Sequence, residues 1–218
     1  MGCGIRLHET YRPVEIALMS KSQGRRARVE RRTNETQLVV DVNIDGQGTF
    51  SGTVGVPFLE HMLNLFARHA QIDLVLSGQG DTPIDDHHTS EDLGITLGLA
   101  VREALGKREG IRRYGEAYVP MEECLARCVI DLCNRPYFVF CASIPKAKVG
   151  TFDAELGEEF LRAFTLNCPA TVHLDLLRSG NVHHGLEAMF KAIGRALGQA
   201  ATIDGRIAGV LSTKGTLS

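Results

Sequence analysis

The strongest constraint on this chain is that it repeats itself. Residues 58–78 read FLEHMLNLFARHAQIDLVLSG and residues 160–180 read FLRAFTLNCPATVHLDLLRSG, a gapless match at a constant spacing of 102 residues. Phe58, Leu59, Asp73, Leu74, Ser77 and Gly78 recur as Phe160, Leu161, Asp175, Leu176, Ser179 and Gly180. The first copy then carries six further residues in a loop. Beyond it DHHTSEDLGITLGLAVREAL matches VHHGLEAMFKAIGRALGQAA at a spacing of 96, so that His87, His88, Glu91 and Gly98 recur as His183, His184, Glu187 and Gly194. Two matches in the same order point to an internal duplication, with an extension over 1–24 and halves over about 25–115 and 116–218. Two copies are too few for a solenoid, so they predict a pseudo-symmetric pair on a shared core.

Each half shows the same coarse order. Strand-like runs come first: Gln37–Ile44, then Ala126–Asn134 and Tyr137–Ser143, all rich in β-formers. Helices are predicted over 58–69 and 158–167, strands over 72–76 and 171–177, and final helices over 90–105 and 184–201. Strands mixed with two helices per half predict an α+β fold, each half a β-sheet with its helices packed on one face.

Composition narrows the function classes. Hydrophobic residues make up 44% of the 218 residues and charged residues 23%, enough apolar material for a core. The formal net charge of −2 gives no general attraction to nucleic acid or to an anionic membrane. No stretch approaches the roughly 20 apolar residues of a membrane span. The N-terminal segment lacks the apolar run of a secretion signal, and Arg6 breaks the myristoylation pattern that Gly2 would otherwise suggest. The six cysteines form no C-x-x-C pair, and four lie between 124 and 141 in strand-like runs. Buried thiols of a reduced, cytoplasmic chain are therefore expected rather than a disulfide framework.

The repeated HHxxE carries the chemistry. On a helix, residues three and four apart share a face, so Glu91 can work beside His87 or His88, and Glu187 beside His183 or His184. Adjacent residues point about 100° apart, so the two histidines of a pair need not serve one ion. Imidazoles and carboxylates without thiolates suit Mn, Fe, Co, Ni or Zn. Room for substrate would favour an open, roughly octahedral ion such as Mn(II). His61, on the preceding predicted helix, adds a further candidate ligand. One HH pair is ordinarily surface or capping chemistry; the same motif twice in a duplicated frame is what points to metal. The residue order differs from HExxH, so the protease mechanism of that motif does not transfer.

With RRTNET, GVPFLEHML, IDDHHTSEDLGITLG, GIRRYG, NRPYF, GNVHHGLEAMFKA and STKG in place, the chain resembles the imidazoleglycerol-phosphate dehydratase family over about residues 25–218. The resemblance implies a duplicated α+β subunit of the ribosomal protein S5 domain 2-like kind. It also implies a large closed homo-oligomer with active sites between subunits, and two Mn(II) ions per active site. The metal ligands it implies are His61, His87, His88, Glu91, His183, His184 and Glu187. Glu159 stands where many members carry a histidine, and a carboxylate can take that place on Mn(II). His173 is the competing candidate, equally readable as an ordinary strand histidine. Pro83 is a second departure, bearing only on loop shape.

The expected substrate is a small phosphorylated imidazole. The resemblance makes Arg113, Arg135, Lys191, Ser212, Thr213 and Lys214 its binding residues, with His61 and Glu35 beside it. Arginine suits the phosphate because its planar fork can grip two oxygens. The proton to be removed sits on a carbon attached to the imidazole, which is not acidic. Two metals on the ring nitrogens would draw electron density from the ring, while a base takes the carbon proton and an acid protonates the departing hydroxyl. Glu35 matches the family's glutamate placed for proton transfer. No GxGxxG or P-loop string calls for an organic cofactor. From the residues alone, a dinuclear hydrolase or a non-catalytic binding module on a similar frame remain open.

Overall fold

The computed structural model describes residues 15–19 and 24–217. Alternation builds the sheets. In β2 (Arg26–Arg32) and β3 (Thr36–Asn43), Val29, Leu38, Val40 and Val42 are buried, with more exposed residues between them. β6 (Tyr114–Met121) and β7 (Cys124–Asp131) alternate likewise, burying Ala117, Val119, Ala126, Cys128 and Ile130. The period of two turns one face of each sheet inward.

The duplication is visible in the topology. The first sheet runs β1 (Glu15–Met19), β2, β3, β5 (Asp73–Gly80), β4 (Phe50–Thr53); the second runs β6, β7, β11 (Thr171–Arg178), β8 (Tyr137–Cys141). β2-β3-β5 and β6-β7-β11 are antiparallel, whereas β4 on β5 and β8 on β11 are parallel. The same order and the same sense therefore occur twice. β1 adds an edge strand that the second sheet lacks, pairing Glu15–Met19 with β2. Part of the expected N-terminal extension thus joins the fold, and the remainder of 1–24, residues 1–14 and 20–23, lies outside the described residues apart from Gly24. β6 begins at Tyr114, so the expected break at 115/116 falls inside a strand. A small hairpin, β9 (Lys148–Val149) and β10 (Phe152–Asp153), precedes the third helix.

The helices are α1 (Pro57–Ala70), α2 (His87–Leu105), α3 (Leu156–Asn167) and α4 (Val182–Ala201). α2 lies on β2 and β3, and α4 on β6 and β7. Between the sheets the helices pair across the halves, α1 with α4 and α2 with α3. Phe66 meets Phe164 edge-on at 5.6 Å between ring centres, and Phe160 stacks on Phe190 at 5.6 Å. The result is sheet, helices, helices, sheet around one core, as the α+β reading with helices on one face of each sheet requires. The repeated glycine makes the crossing possible. A Cβ on Gly98 would sit 2.6 Å from the Phe164 carbonyl oxygen of α3, and one on Gly194 2.7 Å from the Phe66 carbonyl oxygen of α1.

Cys124, Cys128, Cys133 and Cys168 are buried free thiols, and Cys141 is free and exposed. Burial pushes the Cys168 thiol up to about 12, which keeps it protonated and inert. Cys3 lies outside the described residues. Among those residues, no helix is long and apolar enough to cross a membrane.

Candidate active site

The packing of α1 on α4 joins residues 126 positions apart. The Nε2 atoms of His61 and His183 each lie 3.1 Å from Glu187 Oε1, and Lys191 Nζ donates to the other oxygen, Oε2, at 2.6 Å. One ligand atom from each of His61, His183 and Glu187 falls within 4.8 Å of the others, the spacing that a single ion spans. Among the described residues this is the only cluster of three such groups. The Glu187 side chain is 10% exposed and the His61 ring 45%, so the carboxylate forms a buried floor under imidazoles open to solvent. Burial alone would push the Glu187 carboxyl up. Hydrogen bonds from Lys191, His61 and His183 outweigh it and hold the group at about 2. Two nitrogens, one anionic oxygen and an open side fit a divalent ion with exchangeable positions.

Local structure explains why α4 presents this face. Asn181 caps the helix, its Oδ1 accepting from the backbone N–H of His183 at 2.9 Å and of His184 at 3.4 Å. The edge of Phe58 packs on the His183 ring at 5.2 Å between centres. His184 turns away at 80° to His183, and its Nδ1 lies 3.2 Å from Glu123 Oε2 in the β6–β7 turn.

The first motif repeats the plan more loosely. His87 Nε2 stands 4.0 Å from Glu91 Oε2, again at i and i+4. His88 is turned 85° from His87, with Nδ1 at 2.9 Å from Asp81 Oδ2 and Nε2 at 3.7 Å from Glu35 Oε1. Glu35 is delivered by the turn between β2 and β3. There Thr33 Oγ1 accepts from the backbone N–H of Glu35 and of Thr36, and the Thr33 and Thr36 hydroxyls donate to Asp92 of α2. Arg31 holds the other Asp92 oxygen at 2.9 Å. This buried network docks the TNET turn on α2 while leaving the Glu35 carboxylate half exposed.

A third group gathers at the opposite end of the second half. An open cleft of about 790 Å³ is lined by Arg113, Arg135, Ser212, Thr213 and Lys214, together with Tyr114 and Arg206. Arg113 donates to both Asp131 oxygens at 2.7 and 2.9 Å and to the Leu211 carbonyl at 2.7 Å, and the bonds to Asp131 raise its pKa further. The planar fork is thus pre-set by Asp131 and the C-terminal segment.

Within one chain the structure assembles His61, His183, Glu187 and Lys191 in one place, Glu35, His87, His88 and Glu91 in another, and the phosphate-type residues in a third. Lys191, expected with the phosphate group, donates to Glu187 within this chain. Glu159 lies half buried in the first turn of α3, outside the three-ligand cluster. His173 is exposed on β11, paired in register with Val129 and Val139. Asp81, Glu123, Asp92 and Asp131 were not singled out from the sequence. None belongs to the repeated motif, and only its partner in space marks it.

Comparison with known proteins follows this geometry. The family profile "Imidazoleglycerol-phosphate dehydratase" matches residues 54–197. An imidazoleglycerol-phosphate dehydratase from Pelobacter propionicus is 53% identical over 193 residues, covering 88% of this chain and 99% of the relative. One from Halalkalibacterium halodurans is 52% identical, covering 88% of this chain and 100% of the relative. Among solved structures, imidazoleglycerol-phosphate dehydratase from Staphylococcus aureus is 45% identical with a TM-score of 0.75, over 82% of this chain and 99% of that one.

Proposed function

The chain belongs to the imidazoleglycerol-phosphate dehydratase family, and from that premise we propose which of its residues carry the reaction. The enzyme is a hydro-lyase of histidine biosynthesis that removes water from imidazoleglycerol phosphate to leave imidazole acetol phosphate. Our reading of the site rests above all on the convergence of His61, His183 and Glu187.

These three residues hold one divalent ion, Mn(II) on our reading, and His87, His88, His184, Glu91 and Glu159 contribute to this and a second ion. The second set is spread over α2, α3 and the outer side of α4, so one chain leaves it incomplete. Neighbouring copies in a closed homo-oligomer supply the missing partners. Held by these residues, the ions would supply Lewis-acid chemistry that draws charge from the substrate's imidazole. Everything else is done by side chains. Lys191 fixes the orientation of Glu187 through a charge-assisted bond, so that the other oxygen stays on the ligand side. Arg113, held by Asp131, grips the phosphate with Arg135, Ser212, Thr213 and Lys214 around it. Glu35 is anchored through its turn rather than its carboxylate, which leaves that carboxylate free to take the carbon proton.

The test is direct. Purified protein should release one water per imidazoleglycerol phosphate and form the ketone. His183→Ala should lose Mn(II) and, with it, nearly all of kcat, because the Lewis-acid contribution goes with the ion. Full activity of His183→Ala with unchanged metal content would sink the assignment.

A further inference from the structure

The two HHxxE motifs share a feature that ligand chemistry alone does not require. In each, the first histidine points Nε2 at the glutamate of its own helix, His87 toward Glu91 and His183 toward Glu187. In each, the second histidine instead meets, through Nδ1, a carboxylate from outside the helix. His88 Nδ1 lies 2.9 Å from Asp81 Oδ2, and His184 Nδ1 lies 3.3 and 3.2 Å from the two Glu123 oxygens. The acids come from unrelated places. Asp81 follows the end of β5, whereas Glu123 sits in the β6–β7 turn. The acid at Nδ1 thus comes from a different element in each half.

The fold has little other use for Asp81. Its Oδ1 is buried without a hydrogen-bond partner, an arrangement that costs free energy, and its only bonded side chain is His88. Glu123 is accommodated deliberately. A Cβ on Gly180 would meet the Glu123 side chain at 2.2–2.8 Å, so glycine there makes the room. Glu123 Oε1 also accepts from the Asn181 N–H at 2.6 Å, which aims the carboxylate at the first turn of α4.

We propose that Asp81 and Glu123 are positioning residues, each accepting the Nδ1–H of the second histidine and so leaving its Nε2 lone pair as the outward-facing metal donor. A neutral imidazole carries one proton on either nitrogen, and a carboxylate at Nδ1 selects the Nδ1–H tautomer and fixes the ring plane. The ring planes of His88 and His184 stand at 85° and 80° to those of His87 and His183. Each motif can thereby serve two ions instead of chelating one. The proposal rests on the metal-binding reading above for its purpose, but the tautomer itself can be measured without metal.

In metal-free protein labelled with ¹⁵N-histidine, solid-state NMR above the imidazole titration range should show His88 and His184 as Nδ1–H tautomers. Signals are assigned by their loss in His88→Gln and His184→Gln. Asp81→Ala and Glu123→Ala should each shift only the partnered histidine to Nε2–H. In a Mn(II) titration followed by electron paramagnetic resonance, each variant should weaken one class of site about 10–100-fold, the usual cost of losing an outer partner of a ligating histidine. Glu123→Asp should recover most of that affinity. Glu123→Gln keeps an acceptor for Asn181 and guards against a folding defect; it should weaken Mn(II) binding with the fold intact by circular dichroism. An Nε2–H tautomer at His88 or His184 in the unmutated protein would overturn the proposal, as would unmutated affinity in both alanine variants. If the unmutated protein takes up no Mn(II), the metal reading fails, while the tautomer measurement still decides the positioning claim.

Discussion

Equivalent residues of the two halves do different work. Asp73 and Asp175 occupy the same position in the repeat. Asp73 gathers the backbone N–H groups of Gln47 and Thr49, the Thr49 hydroxyl and the Asn43 amide, which pin the loop before β4. These bonds, the one from Gln47 foremost, hold its carboxyl well below the usual carboxylate range against the effect of burial. Asp175 instead pairs with Arg127 across the second sheet at 2.9 Å. The turns that deliver Glu35 and Glu123 diverge similarly. The first is docked by Thr33, Thr36 and Asp92, and the second is docked by the glutamate itself. That difference leaves the Glu35 carboxylate half exposed and ties down that of Glu123. Among the described residues, α3 brings Glu159 into no cluster within one chain. We expect Glu159→His to keep both activity and metal, and Glu159→Ala to lose part of the bound metal by elemental analysis. Stoichiometric metal in the alanine variant would remove it from the ligand set.

At the scale of elements, the site depends on how closely α1 approaches α4 and α2 approaches α3. Gly94 and Gly98 of α2 face the Phe160 and Phe164 carbonyls, and Gly194 and Gly198 of α4 face those of Phe66 and Ala70, every hypothetical Cβ lying 2.6 or 2.7 Å from an oxygen. A methyl group there must push the helices apart. Gly194→Ala is expected to destabilise the protein by about 1–3 kcal/mol, the usual cost of overpacking a core, read as a lowered denaturant midpoint. Because α1 carries His61 and α4 carries Glu187, the same change should weaken metal binding as well. Gly98→Ala should cost similar stability with no direct effect on the His61–Glu187 pair. Unchanged metal binding in Gly194→Ala despite its lowered midpoint would show that the helix spacing does not set the site.

For the whole molecule, the ligand set proposed above predicts assembly. One chain completes a three-ligand cluster on α1 and α4 and leaves the ligands of α2 and α3 apart. If partners in neighbouring copies complete the second set, chelation should break a large particle into smaller ones, followed by light scattering. A particle of unchanged size after complete metal removal would argue against shared sites. Much of this was legible in the amino-acid string. The repeat, the strand-forming runs of β3, β7 and β8 and the i, i+4 spacing of HHxxE are local patterns, and local geometry acts on them directly. Those patterns account for the paired sheets, the helix faces and the pairing of His183 with Glu187. β1, β2, β4, β6 and the β9–β10 hairpin escaped notice; most of them are short or lie at a sheet edge, where the periodic signal is weak. The meeting of His61 with Glu187, the seat of Lys191, and the acids Asp81, Glu123 and Asp131 were decided only by the tertiary structure. They depend on which helix crosses which and how closely, and that is set by packing between segments a hundred residues apart rather than by the periodicity of either one.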